Sequence, residues 1–274
     1  MITKDGSRID FGENPEWPLS IDLKITECCF HGCPWCHEDS GPSGKHGDPE
    51  KILSHLSGLP KTTEVAIGGG NPLEHPGLQS IIDGLGCIVN MTIRDLDLLS
   101  PDLKLPNGLT ALGISVTEGG PELGSLIQKL PPHLQETWVP HLILGVTSLE
   151  TYERIKKISP RILWLGYKTW GRGRSWSPED WKGMEKEITK DLGRRYPGII
   201  AFDNLALSQL RIKSKMLKSE WEAFYQGPEF SRSMYVDGVK GMYSPSSTSG
   251  DRVSWDTIRL SEYYVKNHTN PRES

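Results

Sequence analysis

Short apolar runs alternate with amphipathic segments through the first two thirds of the chain. Six of the runs have strand character: PLSIDLKI, TEVAIGG, CIVNMTI, LTALGISVT, TWVPHLILGV and RILWLGYK. Segments with helical spacing of apolar residues lie between several of them. Strands that alternate with helices assemble into a parallel sheet, because each helix returns the chain to the same end of the sheet. The pattern therefore predicts an α/β fold.

Local signals place some of the helix ends. Thr147 and Glu150 have capping-box spacing, and Ser177, Pro178 and Asp180 precede apolar residues with helical spacing. After residue 198 the rhythm changes to one more apolar run, IIAFDNLAL, a basic segment, the hydroxyl-rich run SPSSTSGDR and a last helix-like stretch, DTIRLSEYYVKN. SPSSTSGDR is either a disordered loop or a lid. We predict one domain, 1–274, with a core at about 18–170 and a C-terminal extension at about 199–274.

Composition excludes several classes of protein. The net charge of −4 over 274 residues argues against a general nucleic-acid binder, which would show a basic excess. No stretch approaches the roughly 20 apolar residues that cross a bilayer, and the N-terminus has no signal-peptide core. We therefore expect a cytoplasmic protein with no membrane association.

Four of the five cysteines lie within nine positions, in the sequence TECCFHGCPWCH. Such clustering does not suit a disulfide framework, which spreads cysteines along the chain. Cys29, Cys33 and Cys36 are spaced C-x3-C-x2-C, which suits either a [4Fe–4S] cluster with one iron lacking a protein ligand or a zinc site. Zinc would need a fourth ligand such as Cys28, and no second pair of Cys or His follows at zinc-finger spacing. Cys28 and Cys87 are predicted to be buried.

The sequence CFHGCPWC resembles the signature of radical S-adenosylmethionine (SAM) enzymes, with Cys29, Cys33 and Cys36 as the cluster ligands and Trp35 as the aromatic residue. The run IGGGNPL, after the second predicted strand, resembles the glycine-rich motif of the same family. Asn71 stands where the family usually has Glu. The resemblance covers about residues 18–170 and implies a partial (β/α)6 TIM-like barrel with a C-terminal extension. The glycine-rich motif comprises Gly69, Gly70, Asn71 and Pro72.

The resemblance also implies the cofactors and the chemistry. A [4Fe–4S] cluster on the three cysteines would bind SAM and cleave it reductively to a 5'-deoxyadenosyl radical that abstracts hydrogen from a substrate. A flavodoxin or ferredoxin-type protein would supply the electron. The backbone of the glycine-rich motif would bind the amino group of SAM, and Trp35 would lie near the adenine.

Barrel enzymes carry their sites at the carboxyl ends of the strands. This rule selects residues after strands three to five as SAM contacts. The family resemblance makes Arg94 a candidate for the SAM carboxylate and Ser115 a candidate for the ribose, although each also suits a solvated loop. The remaining candidates at these strand ends are Thr117 and Gly145.

The substrate is predicted from charges beyond the sixth strand. Lys168, Arg172 and Arg174 lie in YKTWGRGRSW and form either an anion site or ordinary solvated surface. Asp203 and Asn204 end the run IIAFDN, where they would hydrogen-bond a polar substrate. The sequence thus favours a radical SAM enzyme acting on a polar, nucleotide-like or anionic small molecule. The alternative is a noncatalytic, zinc-stabilised binding module.

Overall fold

The structure, a computed structural model, describes residues 16–117, 122–178 and 181–268. Within these residues ten strands form one continuous sheet. The strands are β1 (Ser20–Thr26), β2 (Glu64–Gly69), β3 (Ile88–Arg94), β4 (Ala111–Ser115), β5 (Val139–Ile143), β6 (Arg161–Leu165), β7 (Ile199–Phe202), β8 (Ser233–Asp237), β9 (Met242–Ser244) and β10 (Val253–Ser254).

The strand order is β10-β9-β8-β1-β2-β3-β4-β5-β6-β7. Strands β1 to β7 are parallel neighbours in chain order, and β8 returns to pair in parallel with the outer side of β1. Only β9 and β10 are antiparallel additions. This is the strand order of a (β/α)8 barrel that is open between β7 and β8, since no pairing in the described part of the chain joins those two strands.

The predicted α/β partial barrel is therefore confirmed, and its six predicted strands are β1 to β6. Two further parallel strands come from the C-terminal extension. The extra strand predicted in IIAFDN is confirmed as β7, at the far edge of the barrel, although it ends at Phe202, before Asp203 and Asn204. The segment SMYVD forms β8, which sequence analysis did not identify as a strand, and it extends the sheet on the side of β1.

Helices cover the outer face of the sheet, where the apolar residues of the strands form the core. In α2 the residues Leu78, Ile81, Ile82 and Leu85 are buried at helical spacing against that face. The helices are α1 (Pro49–His55), α2 (Leu78–Leu85), α3 (Leu123–Ile127), α4 (Pro132–Thr137), α5 (Leu149–Lys156), α6 (Lys182–Lys190), α7 (Asn204–Gln209), α8 (Lys218–Phe224) and α9 (Leu260–His268).

Helix ends follow capping chemistry, with one shift from prediction. The N-cap of α5 is Ser148, whose side chain accepts a hydrogen bond from the Thr151 amide, so the predicted capping box of Thr147 and Glu150 is wrong by one residue. Thr147 instead accepts a bond from the Ile143 amide, closing the turn after β5. The predicted closing helix is α9. Asp180, predicted to begin a helix, lies outside the described residues. No helix in the described residues is long and apolar enough to cross a membrane.

Strand residues alternate between two environments. In β1, Ile21, Leu23 and Ile25 are buried against the helices, whereas Ser20 and Asp22 line the inside of the barrel. The inward positions of β2 to β4 are polar or small, whereas those of β5 and β6 include Val139, Ile143, Leu163 and Leu165. Successive strand residues point to opposite faces, so one sheet has an apolar outer core and a lumen that is polar mainly at β1 to β4.

Candidate functional site

The lumen holds a cavity of about 680 Å³ that extends to the carboxyl ends of β1 to β6. Polar groups from most of its strands converge on this space, as expected for a small-molecule site. The cavity brings together many residues predicted from the sequence. Those that line it are Cys29, Cys33, Trp35, Cys36, Gly69, Gly70, Asn71, Pro72, Arg94, Ser115 and Lys168.

Three of the cysteines lie in the loop after β1, here called the cysteine loop (residues 27–41). Cys29, Cys33 and Cys36 have free thiols and border the cavity. The loop folds back on the strand end, where the Cys29 amide donates to the Gly41 carbonyl at 3.0 Å. Cys28 is buried, does not line the cavity, and directs its thiol to the Pro42 carbonyl. The thiols facing the cavity are therefore those of the C-x3-C-x2-C motif.

The glycine turn at the end of β2 packs directly on the start of the cysteine loop. The Gly70 amide donates to Thr26 O at 2.7 Å, and the Asn71 amide donates to Cys28 O at 2.8 Å. A Cβ on Gly70 would overlap the Cys28 carbonyl, and one on Gly69, whose φ is +117°, would lie 2.5 Å from the Thr26 carbonyl oxygen. These two glycines are thus required by the contact between the turn and β1.

Asn71 is held in a polar network beside the motif cysteines. Its Nδ2 donates to Asp97 Oδ1 at 3.0 Å, and its Oδ1 accepts from the Leu73 amide. His31, from the cysteine loop, also contacts Asp97 Oδ1 through Nε2, at 2.9 Å. Asn71 therefore connects the glycine turn to the cysteine loop and to the turn after β3.

Arg94, the last residue of β3, lies between the cysteine loop and the end of β4. Its guanidinium donates to Cys33 Sγ and to Thr117 Oγ1, and it lies 5.8 Å from the centre of the Trp35 ring. The buried carboxylate of Asp95 accepts from the Thr117 amide at 2.7 Å. Thr117 thus supports Arg94 without lining the cavity itself, and Arg94 presents positive charge next to a motif thiol.

Of the other predicted strand-end residues, one lines the cavity and one does not. Ser115, at the end of β4, lines the cavity. Gly145 lies in the turn after β5, with a φ of +72°, and does not line it. This turn curls back toward its own strand, since the amides of Val146 and Thr147 donate to Ile143 O.

The lumen wall contains polar residues that sequence analysis missed. Asp22, Asn90 and His141 line the cavity from strand interiors, and Glu64 lines it from the first position of β2. Asn90 donates to Glu64, and its own Oδ1 makes no hydrogen bond. His141 lies over Gly113, where a Cβ would be 2.5 Å from the ring. The signal that could have identified Asp22 and Asn90 is the period of two in SIDLKIT and IVNMTIR, whose polar members share one face.

Enclosure by protein alters the ionisation of two of these groups. Desolvation raises the pKa of Asp22 above its usual 3.8, opposed by the positive charge of Lys168 and reinforced by nearby carboxylates, Asp203 first. Desolvation lowers the pKa of His141 to about 4, so this imidazole is neutral at pH 7. The lumen therefore contains a carboxyl group, Asp22, whose ionised form would be stabilised by a cationic or hydrogen-bonding partner. It also contains a neutral imidazole, His141.

Lys168 lines the cavity after β6, as the strand-end rule predicts. Its Nζ donates to Ser247 Oγ at 3.0 Å. Ser247 belongs to the run SPSSTSGDR, which therefore lies at the cavity wall rather than away from the barrel. Arg252 holds this run by bonding Ser247 O and Asp237.

A buried ion network joins the cysteine loop to the C-terminal extension. Lys24 Nζ contacts Glu27 and Glu38, both at 2.9 Å, and lies 3.6 Å from Asp237 of β8. The Tyr235 hydroxyl donates to Glu38 at 3.0 Å. Strand β8 therefore positions the cysteine loop from the side opposite β2.

Four residues predicted to contact substrate lie outside the cavity lining. Arg172 contacts the cysteine loop, and Arg174 is exposed. Asp203 is the N-cap of α7: its Oδ1 accepts from the Ala206 amide at 2.7 Å and from the Gly166 amide at 2.9 Å. Asn204 is the first residue of that helix. The structure gives Arg172 and Asp203 structural partners and brings none of the four to the lumen.

The arrangement of the thiols suits a cluster better than a single ion. One zinc ion needs ligands that converge within about 2.3 Å of one point. In the described residues no three Cys, His, Asp or Glu side chains converge in that way. In a [4Fe–4S] cluster each cysteine binds a different iron, so the thiols need only border a common space. Cys29, Cys33 and Cys36 meet that condition, and the donor set therefore fits the group.

Comparison with known proteins supports the fold. No protein-family model matches the sequence, and no curated protein matches it. Among solved structures, Streptococcus suis SuiB bound to the precursor peptide SuiA has a TM-score of 0.67 and 12% identity, over 94% of this chain and 67% of that chain. SuiB bound to S-adenosylmethionine gives a TM-score of 0.65 and 11% identity, over 91% and 66% of the two chains.

The chain spans about two thirds of the length of SuiB. One of the two SuiB structures contains S-adenosylmethionine. Because the identities are near one in eight, the likeness concerns the path of the backbone. This likeness confirms the predicted architecture, and the chain shares the partial-barrel fold of SuiB.

Proposed function

We propose that the chain is a radical SAM enzyme that binds a [4Fe–4S] cluster through Cys29, Cys33 and Cys36. The observation that carries the proposal is the meeting of three motif thiols, the glycine turn and Arg94 at one end of a cavity with polar side chains in its wall. When bound, the cluster supplies the electron that cleaves SAM to a 5'-deoxyadenosyl radical.

The residues at the cavity divide the remaining work. The polypeptide around Gly68 and Asn71 offers backbone groups to the amino group of SAM, and the Arg94 guanidinium offers charge-assisted hydrogen bonds to its carboxylate. Trp35 provides an aromatic surface for the adenine, and Ser115 a hydroxyl for the ribose. The strands and the outer helices shield the reacting atoms from part of the bulk water. Gly145 and Thr117 act through the turns that they stabilise.

We propose that the substrate is a polar small molecule, or a polar segment of a larger one, that enters the lumen beside SAM. Asp22, Glu64, Asn90 and His141 supply its hydrogen-bonding partners, and Lys168 supplies a cation for an anionic group. SuiB binds a precursor peptide, so a peptide segment is the second substrate class to test. A flavodoxin or ferredoxin-type protein serves as the reductant.

The alternative, a noncatalytic zinc module, is supported only by the presence of the thiols, which also bind zinc. It leaves the polar lumen without a role, because a structural zinc site stabilises a loop and needs no adjoining cavity. It also requires a fourth ligand, and Cys28 points away from the cavity toward Pro42 O.

Anaerobic purification and reconstitution test the proposal. We expect a brown protein with about four irons per chain, which forms 5'-deoxyadenosine from SAM when dithionite is added. A colourless protein that retains stoichiometric zinc, or an iron protein that leaves SAM intact, would contradict it. The substrate class is tested by adding small polar metabolites and peptides separately and measuring which of them increases 5'-deoxyadenosine formation.

A further inference from the structure

The turn after β6 contains the sequence GRGR, whose two arginines have different surroundings. Arg172 is partly buried and Arg174 is exposed, although they are two residues apart in one helical turn, Gly171–Arg174. We call residues 171–174 the clamp turn. It contacts the cysteine loop between Cys33 and Ser40.

The side chain of Arg172 makes three polar contacts and its backbone amide makes a fourth, all with the cysteine loop. Its Nε donates to Cys33 O at 2.9 Å, its second terminal nitrogen donates to Ser40 O at 2.8 Å, and its first pairs with Asp39 at 3.1 Å. Its backbone amide donates to Cys36 O at 3.0 Å. One residue thus holds the backbone at two of the three motif cysteines and at the far end of the loop.

The glycines of the clamp turn explain why it can come so close. A Cβ on Gly171, whose φ is +54°, would lie 2.7 Å from Cys36 O and 2.8 Å from His37 O. A Cβ on Gly173 would lie 2.5 Å from Lys168 O and 3.1 Å from Trp35 O. Neither position has room for a side chain, so the spacing Gly-Arg-Gly places one arginine between two close backbone contacts.

Aromatic packing also supports the contact between the clamp turn and the cysteine loop. Trp176 meets Trp35 edge to face at 5.6 Å, and Tyr167 packs on Trp176 at 5.6 Å. The Tyr167 hydroxyl donates to the carbonyls of Gly173 and Trp176. Residues that follow β6 therefore pack against both the clamp turn and Trp35.

We propose that Arg172 is a positioning residue that preorganises the cysteine loop for its metal cluster, and that it does not bind substrate. The cation spans the loop from Cys33 to Ser40, so it restricts the segment that carries Cys36. Fixing the loop before the cluster binds lowers the conformational entropy lost on binding. The exposed pair with Asp39 adds little, and the bonds to the two carbonyls carry the effect. The metal part of this inference rests on the proposed function.

The clamp is tested with Arg172→Ala against Arg174→Ala, a control in the same turn that removes the same charge. Each reconstituted protein is mixed anaerobically with excess iron chelator, and loss of the visible absorbance is followed. We expect Arg172→Ala to lose iron at least about 10-fold faster than wild type, the lower range for one hydrogen bond from a charged donor. Arg174→Ala should match wild type. Equal rates in all three proteins, or equal acceleration in both variants, would overturn the proposal.

Two further measurements separate the clamp from general stability and from the proposed function. Hydrogen exchange of residues 29–41 in the metal-free protein should be faster in Arg172→Ala, while exchange in β2 to β5 is unchanged. Arg172→Lys, which keeps the charge but not the planar fork, should give an intermediate rate of iron loss, and it replaces the alanine variant if that one does not fold. If wild type binds no iron, the proposed function fails, and loop exchange alone decides the clamp: unchanged exchange would overturn it.

Discussion

The two ends of the open barrel meet the same cavity edge in different ways. At β1 to β3, the residues predicted from motifs, namely the three cysteines and the glycine turn, converge on the lumen with Arg94, which was predicted from its strand end. Of the residues predicted at β6 and β7, Lys168 lines the cavity, while Arg172 binds the cysteine loop and Asp203 caps a helix. A motif fixes residue type and spacing together, whereas a group of charges fixes only composition. The difference shows that the spacing of motif residues located the site, whereas the presence of charged residues alone did not.

The largest expected effect tests the β1 side directly. Replacing Cys29, Cys33 or Cys36 singly by Ala should remove the brown chromophore and the reductive cleavage of SAM, because two thiolates do not hold the cluster firmly. Iron content and 5'-deoxyadenosine formation are the measurements. Cys28→Ala is the matched control and should keep both, since its thiol points to Pro42 O. Loss of iron in the control alone would reassign the ligands.

Two neighbouring glycines sharpen the comparison next. A Cβ on Gly70 would overlap the Cys28 carbonyl, so Gly70→Ala should destabilise the protein by about 1–3 kcal/mol and loosen the cluster. A Cβ on Gly68 meets nothing within 4 Å and faces the cavity. Gly68→Val should therefore keep the cluster while SAM affinity falls about 10-fold, an effect of about 1.4 kcal/mol.

Thermal melting, iron analysis and SAM titration of the EPR signal separate these outcomes. If Gly70→Ala proves as stable as wild type, the tight packing between the turn and β1 is wrong. If Gly68→Val binds SAM normally, SAM does not lie against the end of β2.

A smaller effect is expected on the β7 side. Asp203→Ala removes the N-cap of α7 and should lower the free energy of unfolding by about 0.5–2 kcal/mol. That corresponds to a fall in Tm of roughly 2–4 °C per kcal/mol for a chain of this size. Cleavage of SAM without substrate should be unchanged. Asn204→Ala is the control. A variant of Asp203 with normal Tm but no substrate turnover would return this residue to the substrate site and remove the contrast between the two ends.

The smallest expected effect is a pH dependence inside the lumen. The folded-state pKa of Asp22 is raised, so the folded protein holds this proton more tightly than the unfolded chain does. Ionised Asp22 therefore destabilises the fold at a pH above its raised pKa, and the penalty disappears below 3.8, where both states are protonated. Asp22→Asn should raise the Tm at pH 7, and the gain should vanish as the pH approaches 3.8. A gain that is constant with pH would contradict this assignment.

The sequence was sufficient for the frame of this fold because the frame repeats. Apolar runs at regular intervals predicted β1 to β6, and their order followed from chain order. It was insufficient for β8, whose residues SMYVD pair with β1, more than 200 positions earlier. No local pattern encodes such a pairing.

The residues of the candidate site also fall into those that the sequence predicted and those that it did not. The motif cysteines and Arg94 were found because their positions follow from a signature or from a strand end. Asp22, Asn90 and His141 were missed because they occupy strand interiors, where polar residues become visible only when the face of the strand is known. Arg172 was misjudged for another reason: the reach of a guanidinium depends on tertiary neighbours 130 or more positions away, such as Cys33 and Asp39.

The absence of pairing between β7 and β8 affects how a ligand can reach the cavity. A fully hydrogen-bonded cylinder admits a guest only through its two mouths, and a polymer would have to thread in end first. This sheet is not closed, because no strand pairing within the described residues joins β7 and β8. A polymer segment that enters between those two strands would break no backbone hydrogen bond of the sheet. Hydrogen bonding within the sheet therefore does not restrict this fold to guests that enter by a free end.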